Sequence, residues 1–184
     1  MNTLILFGSP HKNGYTKLLL DYFLSFAPKS EIHRIDSYKV EIFPCIGCEG
    51  CKETGICIFR DMDQINFLIN SSDVIIIAFP IYNASVPSPL KSILDRFQPF
   101  YFSRKKNIIK NKKVIILTSQ GSNNMDYSEI IFAQIGPAMK IIGGNFCGMI
   151  SLKGTDDENF DIDKFYIKSK NNIKDMISNL YNIN

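Results

Sequence analysis

The sequence predicts an α/β protein: a parallel sheet with helices on both faces. Two observations carry that prediction. Short apolar runs alternate with amphipathic stretches along all 184 residues, the pattern of repeated βα units. One run, Val74-Ile-Ile-Ile-Ala-Phe79, is apolar at every position, as a central strand must be when helices cover both of its sides.

Each element has its own signal. Residues 3–7 are short and apolar and stop at Gly8-Ser9-Pro10, which reads as a buried strand. Tyr15, Leu18, Leu19, Tyr22, Phe23 and Phe26 then recur at helical spacing, with Asn13 as the expected N-cap. Residues 32–35 make a second strand with only a short alternation. A cysteine loop follows at 44–58, and Asp61 is expected to open a helix carrying Ile65, Leu68 and Ile69. After the central run, Ser88-Pro89 places an N-cap and an N1 proline in their preferred order, ahead of Leu90, Ile93, Leu94 and Phe97 on one face. Residues 114–117 form the fourth strand and 127–142 a helix. Gly143-Gly144 breaks the chain before a fifth strand at 146–152. The last helix spans 162–181, with Phe165, Ile173, Ile177 and Leu180 facing the core. The whole chain, 1–184, is of single-domain length.

Composition narrows the function. A net charge of +3 is too small to argue for nucleic acid, and no run approaches the ~20 apolar residues that span a bilayer. The basic stretch Arg104-Lys105-Lys106 through Lys110, Lys112 and Lys113 reads as a solvated approach to a strand, or as an attractor of an anionic nicotinamide cofactor. No secretory leader is read ahead of the first strand, so a cytoplasmic, reducing location is expected. The apolar stretch Pro99-Phe100-Tyr101-Phe102 is expected to be a loop that seeks cover in a homodimer or homotetramer, or against its own domain. His33 and Cys147, each isolated, read as structural residues.

Ligands of parallel sheets sit beyond the carboxyl ends of the strands. The turns that begin at Gly8, Pro80 and Ser119 are therefore the candidate site. Gly8-Ser9-Pro10-His11-Lys12-Asn13-Gly14-Tyr15-Thr16 joins a strand to a helix N-terminus, where free N–H groups and the helix dipole favour an anion. It matches neither the P-loop nor the dinucleotide fingerprint.

The second constellation is Cys45-x2-Cys48-x2-Cys51-x5-Cys57, holding four of the five cysteines. Zinc sites usually show two separated pairs or mixed Cys and His. Three cysteines stepping by three in one loop better suit a cubane iron–sulfur cluster, with Gly47, Gly50 and Gly55 letting the loop bend. Zinc, redox thiols and a loop that holds nothing stay open as alternatives.

Together the motifs resemble the NADPH-dependent FMN reductase branch of the flavodoxin-like superfamily. The phosphate turn is similar to that branch's G-S-P-[RK]-x-x-[GS]-N-T. Pro80-Ile81-Tyr82-Asn83, Pro87-Ser88-Pro89-Leu90-Lys91 and Asp95-Arg96 are similar to its P-x-Y-x…P-x-x-L-K…D-R. Pro44-Cys45-Ile46-Gly47-Cys48-Glu49-Gly50-Cys51, with Cys57 and Asp61-Met62-Asp63, resembles the compact motif of iron–sulfur flavoproteins in the same branch. His11 departs from the usual Arg or Lys, and Tyr15 from the usual Asn. The first change makes a phosphate contact weaker or sensitive to pH.

The resemblance implies a flavodoxin-like three-layer sandwich with strand order 2-1-3-4-5. It implies FMN, with Ser9, His11, Asn13, Tyr15 and Thr16 around the phosphate. Pro80, Ile81, Tyr82, Asn83 and Ala84 would border the ribityl chain and ring, Tyr82 having core packing as its competing role. Ser119, Gln120 and Gly121 would face the ring's pyrimidine edge. Cys45, Cys48, Cys51 and Cys57 would ligate one [4Fe–4S] cluster. The implied activity is an FMN-dependent NAD(P)H oxidoreductase passing electrons through flavin to a quinone-like, flavin or iron–sulfur acceptor. No side chain is obliged to act as acid or base, because the flavin carries the reaction. The competing classes are a flavodoxin-type electron carrier, which the basic charge balance disfavours, and a zinc or thiol sensor. The partners expected are a small-molecule donor and acceptor or a redox protein.

Overall fold

The central strand expected from its apolar run is β3 (Val74–Pro80), and it is buried from Val74 through Phe79. In the computed structural model, which describes residues 1–103 and 111–182, β3 lies between β1 (Asn2–Phe7) and β4 (Lys112–Ser119). β2 (Glu31–Asp36) and β5 (Gly144–Leu152) form the edges, giving the order β2-β1-β3-β4-β5 with all neighbours parallel.

Because side chains alternate across a strand, the sheet feeds two cores. Leu4, Leu6, Ile75, Ile77, Val114 and Ile116 face one side, against α3 (Asp63–Ser71), α4 (Ser88–Asp95) and α6 (Ser128–Ile141). Ile5, Phe7, Val74, Ile76, Ile115 and Leu117 face the other, against α1 (Tyr15–Leu24) and α7 (Ile162–Tyr181). This is a three-layer sandwich. Two short helices, α2 (Gly50–Thr54) and α5 (Gln98–Ser103), pack on each other outside it. Among the described residues no helix is long and apolar enough to cross a membrane.

Several local expectations are corrected. The N-cap of α1 is Gly14, in extended conformation and without a side-chain cap, rather than Asn13. Met62 caps α3, because the carboxylate of Asp61 is committed to Arg96. Pro87 precedes α4, which shifts Ser88 and Pro89 one position into the helix. The 99–102 stretch is helix α5 rather than a loop. Phe100 is buried and sets its ring edge-on to Phe97 at 5.9 Å, while Tyr101 stays 53% exposed. Cys147 is exposed rather than structural. The β4–β5 register steps from Val114↔Phe146 to Ile115↔Gly148, so Cys147 is the extra residue of a bulge and escapes the alternation. His33 is half-exposed and pairs with Glu31 at 3.1 Å. Residues 104–110 of the basic stretch lie outside the described residues. Of the remainder, Lys112 is buried and Lys113 bonds Asn179 and Asn182 of the α7 end.

Double-sided burial sets an expectation for stability. Ile76 in β3 is fully buried, whereas Ile32 on the edge strand β2 is 43% exposed. Ile76→Ala should cost about 2–5 kcal/mol, and Ile32→Ala about 1 kcal/mol or less. Urea unfolding of the two variants checks the ranking.

Candidate functional site

Three turns at the carboxyl edge of the sheet enclose a cleft of about 300 Å³. The floor comes from the β1–α1 turn. Ser9 and Thr16 are buried there, while His11 and Tyr15 are exposed along the rim. The backbone N–H of His11 donates to Ser9 Oγ at 3.3 Å, leaving the Ser9 hydroxyl proton free. With no side chain capping α1 and the Lys17 N–H donated to Gly14 O at 2.9 Å, the Tyr15 and Thr16 N–H groups are the first-turn donors for an anion. The Thr16 hydroxyl lies 2.6 Å from that of Ser119. One of their two protons is spent inside the pair, so the pair has a single O–H left for a ligand.

The second wall is the turn after β3. Pro80, Ile81 and Tyr82 line the cleft, and the Ile81 N–H donates to Ser119 O at 2.8 Å, tying this wall to the third. Tyr82 is 41% exposed, so its competing role in core packing is ruled out. Tyr82 and Ser85 exchange backbone hydrogen bonds around Asn83 (φ 49) and Ala84 (φ 56). Two consecutive left-handed residues make a type I′ turn, in which alanine is strained by about 1–2 kcal/mol. Gln134 of α6 holds it: Nε2 donates to Ala84 O at 3.1 Å, and Oε1 accepts from Ser85 Oγ at 3.0 Å.

Ser119, Gln120 and Gly121 form the third wall. Gln120 donates both N–H groups, to Ser122 O and Met125 O, each at 2.8 Å. That fixes its orientation and leaves Oε1 as a buried acceptor without a partner. A buried orphan acceptor costs about 1–3 kcal/mol unless a ligand donor meets it. Behind Gly121 stands Asp156, so close that a Cβ there would meet its carboxylate at 1.9 Å.

Ten of the thirteen residues expected at the site thus line one cleft: Ser9, His11, Tyr15, Thr16, Pro80, Ile81, Tyr82, Ser119, Gln120 and Gly121. Asn13 is exposed outside it, and Asn83 and Ala84 shape the turn without lining it. Gly14, Thr155 and Asp156 line the cleft as well. The last two were missed because they follow β5, whose loop pairs with residues 120 and 121 only in three dimensions. The donor set fits FMN: helix N–H groups and hydroxyls for a phosphate, and an orphan acceptor for an N–H on a ring edge.

Cys45, Cys48, Cys51 and Cys57 all line a second cavity, of about 390 Å³. All are free thiols. Left-handed backbone at Gly47 (φ 66), Glu49 (φ 59) and Gly55 (φ 72) coils the loop, with Cys51 carried on α2. Burial pushes the Cys51 thiol above its usual pKa. Among the described residues no three ligand side chains converge on a single-ion position.

The base of this loop is closed by Arg96, at the end of α4 and 1% exposed. Nη1 donates to Phe43 O at 2.6 Å and Nη2 to Phe59 O at 3.1 Å, while Asp61 accepts from both, at 3.2 and 2.6 Å. The Phe43 and Phe59 rings stack at 5.6 Å. Burial works against the charge of Arg96, but the hydrogen bonds and charge of Asp61 outweigh it and hold its pKa above the ordinary value. Burial likewise works to raise the Asp61 carboxyl, and Arg96 with the Phe43 N–H outweighs it, so its pKa lies below the ordinary 3.8.

Residues 1–146 match the sequence profile of the NADPH-dependent FMN reductase family. An iron–sulfur flavoprotein of Archaeoglobus fulgidus is 33% identical over 103 residues, covering 54% of this chain and 47% of that protein. The chain spans about half the length of the first curated relatives it matches. Among solved structures, an NAD(P)H:quinone oxidoreductase from Methanothermobacter marburgensis superposes with TM-score 0.76 at 18% identity over 96% of both chains. An FMN-dependent NADH-azoreductase from Bacillus anthracis, in complex with FMN, superposes with TM-score 0.69 at 14% identity over 98% of this chain and 99% of that one. At such identities the structural matches establish the fold.

Three outcomes follow from the site's geometry. A carboxylate whose folded pKa is depressed adds stability above its ordinary pKa and loses it as pH falls through the folded value. Asp61→Asn should therefore cost about 3 kcal/mol at pH 7, with the gap to wild type closing below about pH 3.8; melting temperatures across pH measure it. Gln134→Leu frees the strained turn and should weaken FMN about tenfold, since ordering the loop then opposes binding. Ala84→Gly, which relieves the left-handed strain, should keep or improve affinity in the same flavin titration.

Proposed function

Because the chain belongs to the NADPH-dependent FMN reductase family, we propose that it is an FMN-dependent oxidoreductase that draws electrons from NAD(P)H. The observation that carries this reading is the cleft, which an uncapped helix start and a buried orphan acceptor share. FMN, when bound, supplies the redox chemistry by taking a hydride from the nicotinamide and releasing electrons singly or in pairs.

The protein's part is binding, orientation and exclusion of water. The α1 N-terminus, Ser9 and the Thr16–Ser119 hydroxyl pair hold the phosphate, with His11 on the rim. Gln120 Oε1 accepts from the ring's pyrimidine edge. Tyr82 and Ile81 give the ring an apolar border. The four cysteines hold a [4Fe–4S] cluster, making the acceptor iron–sulfur as well as a quinone-like compound or free flavin. Exposed Ile46 lines the cysteine cavity, and exposed Phe43, Ile58 and Tyr101 lie within two residues of its lining in sequence; together they favour a homodimer or homotetramer.

Three measurements test this. Protein purified without oxygen should carry one FMN per chain and oxidise NAD(P)H in the presence of a quinone. Flavin without turnover would point to an electron carrier, and no flavin after incubation would overturn the reading. Ser9→Ala should weaken FMN by about 1.5–3 kcal/mol, the worth of a hydrogen bond to a charged group, read by fluorescence titration. Light scattering at micromolar concentration should give a mass of two or more chains, and a monomer would contradict the assembly.

A further inference from the structure

The Nε–H of Arg96 is a buried donor without a partner. Its other two nitrogens are fully engaged, with Asp61 and with the carbonyls of Phe43 and Phe59. Such a donor costs free energy in the apo chain unless something meets it. The residue lines the same cavity as Cys45, Cys48, Cys51 and Cys57, and the Phe59 carbonyl that its Nη2 holds at 3.1 Å is two residues from Cys57. Phe43 and Asp61 bracket the cysteine loop on either side, so one side chain grips both of its ends.

We propose that Arg96 is the positioning residue of the cysteine site: its fork closes the loop so that the four sulfurs face one cavity, and its free Nε–H donates to the Cys57 sulfur when the cysteines hold iron. The second half rests on the cluster reading above; the first does not. Three cysteines in one flexible loop and a fourth six residues on would otherwise sample many arrangements, and ordering them opposes assembly. A hydrogen bond to a ligand sulfur also favours the more electron-rich state of the centre. Its reduction by dithionite in the test, or by reduced flavin in the enzyme, adds one electron and transfers no atom, so the added negative charge is what the Nε–H stabilises.

Arg96→Lys retains a positive charge but loses the fork and the Nε–H. Arg96→Gln loses the charge too, and Asp61→Asn leaves Arg96 in place with one partner weakened. All three are compared with wild type as full-length, FMN-loaded protein made without oxygen, with melting curves to confirm folding. In metal-free protein, iodoacetamide should alkylate the buried Cys51 roughly 10-fold faster in Arg96→Lys than in wild type, with Asp61→Asn between them. In iron-reconstituted protein, both Arg96 variants should lose iron to a chelator roughly 10–100-fold more readily, the usual effect of removing a residue that orients ligands. They should also show a more negative midpoint potential, with FMN content unchanged. Unchanged Cys51 alkylation would overturn the positioning role. Unchanged potential and iron retention would overturn the sulfur bond. Wild-type protein that takes up FMN but no iron would overturn the cluster reading and the sulfur bond together, leaving the alkylation result to decide the positioning role. Should Arg96→Lys fail to fold, Arg96→Gln decides both points by the same readouts, and Asp61→Asn, which keeps the Nε–H, decides the positioning role by alkylation.

Discussion

In a sheet whose neighbouring strands are all parallel, every strand ends at the same edge, and the chain must leave that edge over one face or the other. β1 and β3 are neighbours, yet β1 leads to α1 on one face and β3 to α4 on the opposite one. Their exit turns therefore diverge, and the crevice between them is a consequence of connectivity rather than of any one residue. The turn after β4 closes its third side. What the sequence adds is chemistry suited to that place: a helix start without a cap, hydroxyls, and a glutamine held so that its carbonyl oxygen is buried and unmet. Ala84 in left-handed backbone belongs with these. Each is a local cost to the free chain that a ligand or a neighbouring side chain offsets.

The cysteine cavity depends on a different interaction. Burying a guanidinium is expensive, and it is tolerated here because a carboxylate and two carbonyls accept from its two terminal nitrogens. The result is a joint between segments far apart in sequence. It also sets the orientation of the two sites, since α4 begins just after the turn held by Gln134 and ends at Arg96. A rigid helix of eight residues, about 12 Å long by its rise, therefore links the flavin-side wall to the cysteine loop. The two candidate sites are parts of one framework.

The sheet was legible because burial on both faces leaves a mark in the sequence: a strand such as 74–79 has nowhere polar to point. The helices were legible from spacing, and the cleft from the small and polar residues at three strand ends. The features that were not legible share a cause. Gln134 acts on a turn fifty residues away, and Asp156 stands behind Gly121 across thirty-five. Neither pairing has a local signature. Asp61 reads as a helix opener by position, and only its contact with Arg96 reveals the other use. Cys147 follows the strand alternation on paper and departs from it because a bulge inserts one residue. At 99–102 hydrophobicity alone does not distinguish an exposed apolar loop from a short helix with one face turned inward.

The most direct test of this account is a crystal structure of the FMN-bound protein obtained without oxygen. The account predicts the phosphate at the N-terminus of α1 within hydrogen-bond reach of Ser9. It also predicts a ring N–H within about 3 Å of Gln120 Oε1, so that the orphan acceptor is met. A flavin bound elsewhere, or bound in the cleft with Gln120 Oε1 still unpaired, would contradict it.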